Sequence, residues 1–302
     1  MSIYKRMRRS LLPLVYFLLP LTGGGGVGLS SCSEDDISPS ANNWLVDFPQ
    51  GSNTYDTEIK QVYDLYGTQM LYRYNDGMMR WMVTEQLDYV SRPGDEHYVG
   101  EAVKFIKDNC FRYYQQDSLR KYLPYRIYLA SDLGRLRNYS GLDAAGNNVS
   151  IRDTVWHTVA ANGYANICFG LASSRITTLS QDSLRLAKGE LNAALIANAI
   201  SSGYIRVPST FTKEEVSGVN WYDYVGSFNQ YGLIEYIDAR TMQPAQDFAM
   251  FLKYLIAYPT DEFNERFTNK TYDPTGRIAR KAAAVRKWMK EEYGIDVEQM
   301  AE

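Results

Sequence analysis

The first 31 residues constrain the fold of this chain most, because their pattern is that of a segment removed before the protein folds. Four basic residues lie between positions 5 and 9, and an apolar run follows over residues 11–21 that is interrupted by Pro13 and Pro20. Such a run is too short and too broken to cross a bilayer permanently. It is typical of a secretory targeting segment, so the folded domain has to be built from the rest of the chain.

The residues at the end of this segment predict how the mature protein begins. Leu29, Ser30 and Ser31 precede Cys32 and resemble the lipobox of bacterial lipoproteins, in which the cysteine is lipidated and becomes the new N-terminus. An ordinary secretory signal with a chance cysteine is the alternative. The acidic stretch at residues 33–36 resembles the surface-export tag of Bacteroidota lipoproteins. We therefore predict that a lipid on Cys32 anchors the protein in the outer membrane, facing the cell exterior.

This pattern predicts a signal peptide over residues 1–31, a flexible tether over residues 32–42 and one folded domain over residues 43–302. The tether is polar and poor in apolar groups. Once the four basic residues of the signal are removed, 28 of the 32 lysines and arginines remain against 35 acidic residues, a formal net charge near −7. An acidic domain without basic blocks is not expected to bind nucleic acid.

Histidine and cysteine are scarce. The chain has 2 histidines, His97 and His157, and two cysteines besides that of the lipobox, Cys110 and Cys168. Catalytic zinc usually takes at least two imidazoles, so few histidine-based zinc sites are possible. We expect His97 to be a solvated loop residue and His157 to pack beside Trp156 in or near the core. Each cysteine lies in an apolar helical pattern, so the sequence is compatible either with a disulfide or with two buried thiols.

Hydrophobic periodicity predicts two early strands and a series of helices. The strands are predicted at residues 69–74 and 125–130, and a turn-rich loop at residues 141–148. The helices are predicted at residues 99–110, 151–172, 181–200, 248–256 and 278–289. This order favours an α+β fold, with a small N-terminal mixed sheet, a central helix and a helical C-terminal part.

Three separate stretches resemble one family. Residues 66–76 are similar to an early strand of the form YxIxxxYRWDD, residues 111–129 to a segment that contains YLP, and residues 276–297 to a closing helix. Together they resemble the zinc-binding metallopeptidase lipoproteins of Bacteroidota, which accompany TonB-dependent uptake systems of the starch-utilisation type. The resemblance implies a zincin-like fold and, as partners, a TonB-dependent transporter and its associated lipoproteins.

The resemblance also implies where a zinc site would lie. The family carries HEFAH, a form of HExxH, on its central helix, where residues four apart share one face and hold Zn²⁺ while the glutamate activates water. The matching residues here are Asn162, Gly163 and Asn166, which lack both imidazoles and the carboxylate. A later EDFAE helix supplies a further carboxylate, and its two glutamates correspond to Gln246 and Met250.

These losses predict a degenerate family member with no catalytic residue, no bound metal and no cofactor. An amide is a poor zinc ligand beside imidazole, and glycine has no group that accepts a proton. The alternative is an active zinc metallopeptidase that cleaves surface-bound peptides with unrecognised ligands, in which case zinc is the cofactor.

An aromatic segment provides the candidate binding residues. Residues 221–231 are too irregular and polar for a simple core helix, and the resemblance places them beside the substrate cleft. Flat aromatic rings next to amides can stack on sugars or hold peptides, whereas packing around a loop is the alternative. The candidate ligand-binding residues are Trp221, Tyr222, Tyr224, Phe228 and Tyr231. The predicted function is therefore a non-catalytic accessory of a nutrient uptake system, with a peptide or glycan as ligand.

Overall fold

The computed structural model describes residues 47–82, 87–214, 226–236 and 243–302. Its strands are β1 (Gln69–Leu71), β2 (Tyr89–Pro93), β3 (Arg126–Leu142), β4 (Asn148–Val155), β5 (Ala160–Gly163) and β6 (Asn166–Phe169). Its helices are α1 (Thr54–Tyr66), α2 (Asp76–Arg80), α3 (Val99–Asn109), α4 (Gln116–Tyr122), α5 (Arg175–Thr178), α6 (Gln181–Ser201), α7 (Ser209–Thr212), α8 (Pro244–Ala257), α9 (Thr260–Phe267), α10 (Arg277–Tyr293) and α11 (Val297–Ala301). The predicted mixed sheet and helical C-terminal part are confirmed, because the described residues beyond β6 contain helices but no strand.

Strand β3 organises the sheet. Its first residues run parallel to β1 on one side and to β6 on the other. At the edge β5 pairs antiparallel with β6, while β2 and β4 pair antiparallel with the later part of β3. Parallel strands are usually covered on both faces, and β3 is indeed mostly buried as far as Gly134 and largely exposed beyond it. Residues 135–155, which we call the β3–β4 arm, therefore extend from the core as an exposed hairpin.

The prediction of a helix over residues 151–172 is wrong. This stretch contains the end of β4 and the whole of the β5–β6 hairpin. His157 and Ala165 have φ angles of 77° and 52°, left-handed values that interrupt a right-handed helix and fit the turns between strands. Strand β6 is buried at every position, and periodicity cannot distinguish such a short apolar run from a buried helical segment.

The other four predicted helices are confirmed as α3, α6, α8 and α10. Their ends follow local signals: the Ser180 hydroxyl accepts from the N–H of Ser183 at the start of α6, and Gly294 adopts a left-handed conformation after α10. Helix α6 is buried around most of its middle turns, and α8 packs against it. No helix within the described ranges is long and apolar enough to cross a membrane.

The sheet separates two parts of the hydrophobic core. Alternate residues of a strand point to opposite faces, so Ile127 of β3 belongs to the larger cluster with most helices and Tyr128 to a smaller one. Cys110 lies in the larger cluster and Cys168 in the smaller, and both are free. Of the two possibilities for the cysteines, the structure has two buried thiols.

Both thiols are expected to resist modification in the folded protein. Burial raises the pKa of the Cys168 thiol to about 12 and also raises the pKa of the Cys110 thiol, so neither forms the reactive thiolate at neutral pH. In a Cys32→Ser variant, Ellman's reagent should detect no thiol under native conditions and both thiols in denaturant. If the denatured, unreduced protein shows no free thiol, the two cysteines form a disulfide and the prediction is wrong.

Candidate functional site

A groove lies between the edge of the sheet and the two central helices. It is bounded by β5, by α6 and α8, and by the first residues of the β3–β4 arm, and its cavity volume is about 540 Å³. We call it the central groove. Its polar lining includes Arg135, Asn162, Glu190, Gln246 and Lys253.

Small residues at the contact between α6 and α8 shape this groove. A Cβ added at Gly189 would lie 2.1 Å from the carbonyl oxygen of Lys253, so α6 approaches α8 closely at this glycine. On the same helix, Ala193, Ala194 and Ala197 line the groove. Because their side chains are short, space remains beside the helix contact for a ligand.

Glu190 and Lys253 form the charged centre of the groove. The Glu190 Oε1 atom accepts hydrogen bonds from the N–H of Val159 at 2.9 Å and of Ala160 at 3.1 Å. The Lys253 Nζ atom lies 2.9 Å from Glu235 Oε1 and 3.9 Å from Glu190 Oε2. Glu190 thus ties α6 to the edge strand, and the ammonium of Lys253 lies between two carboxylates.

Glu235 has a second donor. The hydroxyl of Tyr254 donates to Glu235 Oε1. Burial, and then this hydrogen bond to a carboxylate, raise the pKa of Tyr254, so the phenol remains protonated and serves as a donor. Both a phenol and an ammonium therefore engage the same carboxylate.

Three of the residues singled out from the sequence meet in the central groove: Asn162, Gln246 and Met250. The Asn162 Nδ2 atom donates to the carbonyl of Ala194 at 2.8 Å, which links β5 to α6. The Gln246 side chain accepts from the N–H of Gln243 at 3.1 Å and closes a capping box at the start of α8. The structure thus brings together two segments that are distant in sequence.

Gly163 and Asn166 are not part of this groove. In the β5–β6 hairpin Asn162 pairs with Ile167 and Gly163 with Asn166, so the side chains of Asn162 and Asn166 point to opposite faces of the sheet. Asn166 is buried, and its Nδ2 atom donates to the carbonyl of Met79 at 3.3 Å. The prediction that these residues share one face of a helix is wrong, because they belong to a strand hairpin.

Comparisons with known proteins add a distant likeness. No protein-family model matches the chain. No curated protein matches it either. A crystal structure described as a "putative zinc-binding metallo-peptidase" from Bacteroides caccae is similar, with a TM-score of 0.49 and 15% sequence identity over 83% of this chain and 91% of that chain. A similarity at this level does not identify a shared activity.

The residues of the central groove do not fit a zinc ion. Zinc in proteins prefers imidazole and thiolate ligands, and no histidine or cysteine lines the groove. Its carboxylates, Glu190 and Glu235, already lie around the ammonium of Lys253, whose charge repels a divalent cation. Elsewhere in the described part of the chain, no group of three or more histidine, cysteine or acidic side chains is placed to hold a metal.

The two histidines lie outside the groove. His97 is exposed in a turn, with its Nδ1 atom 2.9 Å from Asp95 Oδ1, as predicted for a solvated loop residue. The side chain of His157 is 63% exposed, and its Nδ1 atom lies 3.3 Å from Asp132 Oδ1. The expected packing of His157 in the core is wrong, because the left-handed turn between β4 and β5 leaves it at the surface.

Only part of the predicted aromatic site can be placed. Trp221, Tyr222 and Tyr224 lie outside the described residues, as does Cys32, the predicted lipidation residue. Phe228 and Tyr231 lie on a short 3₁₀ turn, Phe228–Tyr231, and neither lines the central groove. The ring of Phe228 is 6.4 Å from that of Tyr236, which lines the wider continuation of the groove.

Sequence reasoning missed the charged residues of the groove: Arg135, Arg137, Glu190 and Lys253. A local signal existed only for Glu190, because Gly189 lies inside a long helical pattern, and such a glycine often marks a close approach of another backbone. Nothing local distinguishes Lys253 or the two arginines from solvated surface residues. Their role depends on which elements pack together.

Proposed function

We propose that this protein is a non-catalytic binding protein that a lipid on Cys32 holds at the outer membrane, facing the cell exterior. There it acts as an accessory of a TonB-dependent, starch-utilisation-type nutrient uptake system and captures a ligand in the central groove. The basic start, the broken apolar run and the residues before Cys32 support the anchoring. The partners rest on the resemblance of three sequence stretches.

The single observation that carries the non-catalytic role is the charged centre of the groove. A metallopeptidase needs a metal with an open coordination position and a base beside it. Here the ammonium of Lys253 lies between Glu190 and Glu235, and Glu190 also accepts hydrogen bonds from two backbone N–H groups of the edge strand. These contacts give the carboxylates a structural role that is complete without a metal.

The shape of the groove supports a binding role. Its floor carries small alanine side chains, and the amide side chains of Asn162 and Gln246 can both donate and accept hydrogen bonds. Within the described residues β5 pairs with β6 alone, so its other edge carries no strand, although the N–H of Ala160 donates to Glu190. Amides beside an unpaired strand edge suit an extended ligand with a repeating polar backbone, such as a peptide.

We expect the purified protein to bind no stoichiometric zinc and to show no chelator-sensitive cleavage of casein. The reason is the absence of histidine and cysteine from the groove lining. Elemental analysis after incubation with zinc, together with a casein assay, checks both statements. One zinc ion per chain with chelator-sensitive cleavage would overturn the proposal in favour of an active metallopeptidase.

Filling the groove should abolish ligand capture without affecting the anchor. Ala197 on α6 lines the groove and is only partly buried, so Ala197→Trp should block the cavity while the helix stays folded. Ala283→Trp on the exposed face of α10 is the matched control. Both variants and the wild type should recover a TonB-dependent transporter from detergent-solubilised outer membranes, and only Ala197→Trp should lose binding to a pool of casein peptides. Repeated recovery of the wild-type protein without a transporter would count against the accessory role. Unchanged peptide binding by Ala197→Trp would count against the central groove as the binding site.

A further inference from the structure

The central groove continues into a wider cleft beside the β3–β4 arm. This cleft has a cavity volume of about 1010 Å³ and lies between the arm and the residues around Glu235 and Gln246. Arg135 and Arg137 line both the groove and the cleft. Because they are two positions apart on β3, their side chains lie on the same face of the strand.

These two arginines lack the partners that neighbouring cations have. Arg152 on the same hairpin donates to Asn138 Oδ1 at 3.3 Å, and Lys253 pairs with Glu235. By contrast, the side chains of Arg135 and Arg137 make no hydrogen bond or ion pair with any residue that the structure describes.

Among the described residues, the nearby acids form no ion pair with the two arginines. Asp153 is the cross-strand neighbour of Arg137, but its Oδ1 atom accepts from the N–H of Thr154 at 2.7 Å. Glu235, across the cleft, is engaged by Lys253 and Tyr254. Two guanidinium groups thus face a large cleft of an otherwise acidic protein, and each can bind a carboxylate through two parallel N–H groups.

The distance between Arg135 and Arg137 along β3 favours some anionic ligands over others. Residues two apart on a strand are separated by roughly 6.6 Å, and an extended peptide repeats its side chains on one side at the same interval. Given that the central groove binds a ligand, as proposed above, we infer that this ligand is an extended peptide whose alternate acidic side chains are held by Arg135 and Arg137. The amides of Asn162 and Gln246 and the unpaired edge of β5 lie in the adjoining groove, where the peptide backbone can continue.

Two matched synthetic peptides test this inference on the full-length protein. The first is an acetylated, fluorescein-labelled hexapeptide of alternating glutamate and valine, and the second carries glutamine in place of each glutamate. We expect the glutamate peptide to bind more tightly in fluorescence anisotropy, with an affinity that falls as salt rises. Arg135→Gln and Arg137→Gln should each weaken its binding by about tenfold, with little effect on the glutamine peptide.

The matched control is Arg152→Gln, an exposed arginine on the opposite face of the same hairpin. It should leave the affinity for the glutamate peptide unchanged, and all three variants should keep the thermal transition of the wild type. Equal binding of both peptides, unaffected by the arginine variants, would overturn the acidic preference while leaving the binding groove intact. An arginine-dependent affinity for a sulfated or uronic oligosaccharide, with no binding of the glutamate peptide, would overturn the peptide class. Failure of the wild type to bind either peptide also refutes the inference. Binding of casein peptides by the wild type and by Ala197→Trp then tests separately whether the groove binds a ligand.

Discussion

Lys281→Met is expected to lower the free energy of unfolding by about 3–5 kcal/mol, because it removes a buried ammonium that pairs with a buried carboxylate. The Lys281 Nζ atom lies 2.5 Å from Asp247 Oδ2, and both side chains are fully buried between α8 and α10. The ammonium also donates to the carbonyl of Gly232 at 3.2 Å and lies over the ring of Phe211. Urea denaturation followed by circular dichroism measures the loss.

A second variant separates the ion pair from simple packing. Asp247→Asn combined with Lys281→Met removes both charges of the buried pair, so the double variant should be more stable than Lys281→Met alone. Lys287→Met on the same helix is the surface control, since that side chain is 73% exposed and its change should cost less than about 0.5 kcal/mol. If the double variant is no more stable than the single one, the buried charge is not the cause of the loss.

Gly189→Ala is expected to destabilise the protein by about 1–3 kcal/mol, although alanine is the better helix former. The added Cβ would lie 2.1 Å from the carbonyl oxygen of Lys253, which belongs to the backbone of α8 and cannot rotate away. The two helices would have to separate, and the groove that they border would change shape. The thermal transition and the urea midpoint should both fall.

The control for Gly189→Ala is expected to change the stability in the opposite direction. Gly100, in the first turn of α3, has its nearest neighbour 3.7 Å from an added Cβ, at a ring carbon of Tyr55. Gly100→Ala should therefore stabilise the protein by about 0.5–1 kcal/mol through the lost flexibility of the unfolded chain. Equal stabilisation by both alanine variants would show that α6 and α8 tolerate a wider spacing than the structure has.

These two contacts also set the position of the groove residues. Helix α8 carries Gln246, Met250 and Lys253, while its first turn is held by the buried pair with Lys281 and its middle by the contact at Gly189. A change at either contact should therefore alter ligand affinity as well as stability. Changes at Arg135 and Arg137 should alter affinity alone.

Helices were predictable and part of the sheet was not, for a physical reason. A helix depends on periodicity and caps within a few residues, so Ser180 and Gly294 mark the ends of α6 and α10 without reference to the rest of the chain. Strand β4 has alternating apolar residues, but β5 and β6 lack a comparable local signature. The apolar run at residues 167–169 of β6 is compatible with helix or strand until it pairs with β3.

The difference between local signals and long-range pairing also explains which site residues could be predicted. Gln246 and Asn162, two positions that the resemblance singles out, both line the central groove. Asn166 was misplaced, because a hairpin turn at residues 164–165 sends its side chain to the other face of the sheet. Glu190 and Lys253 were missed, since neither differs locally from a solvated helix residue.

The sequence by itself determined the helices that border the groove and the scarcity of metal-binding side chains, because both follow from residue type and short-range spacing. It also predicts the lipid anchor at Cys32 and the acidic charge of the mature domain. Only the tertiary structure decided that Lys253 lies between two carboxylates and that Arg135 and Arg137 face an open cleft. Such placements depend on strand register and on the packing of distant elements, which interactions within a few residues of the chain do not specify.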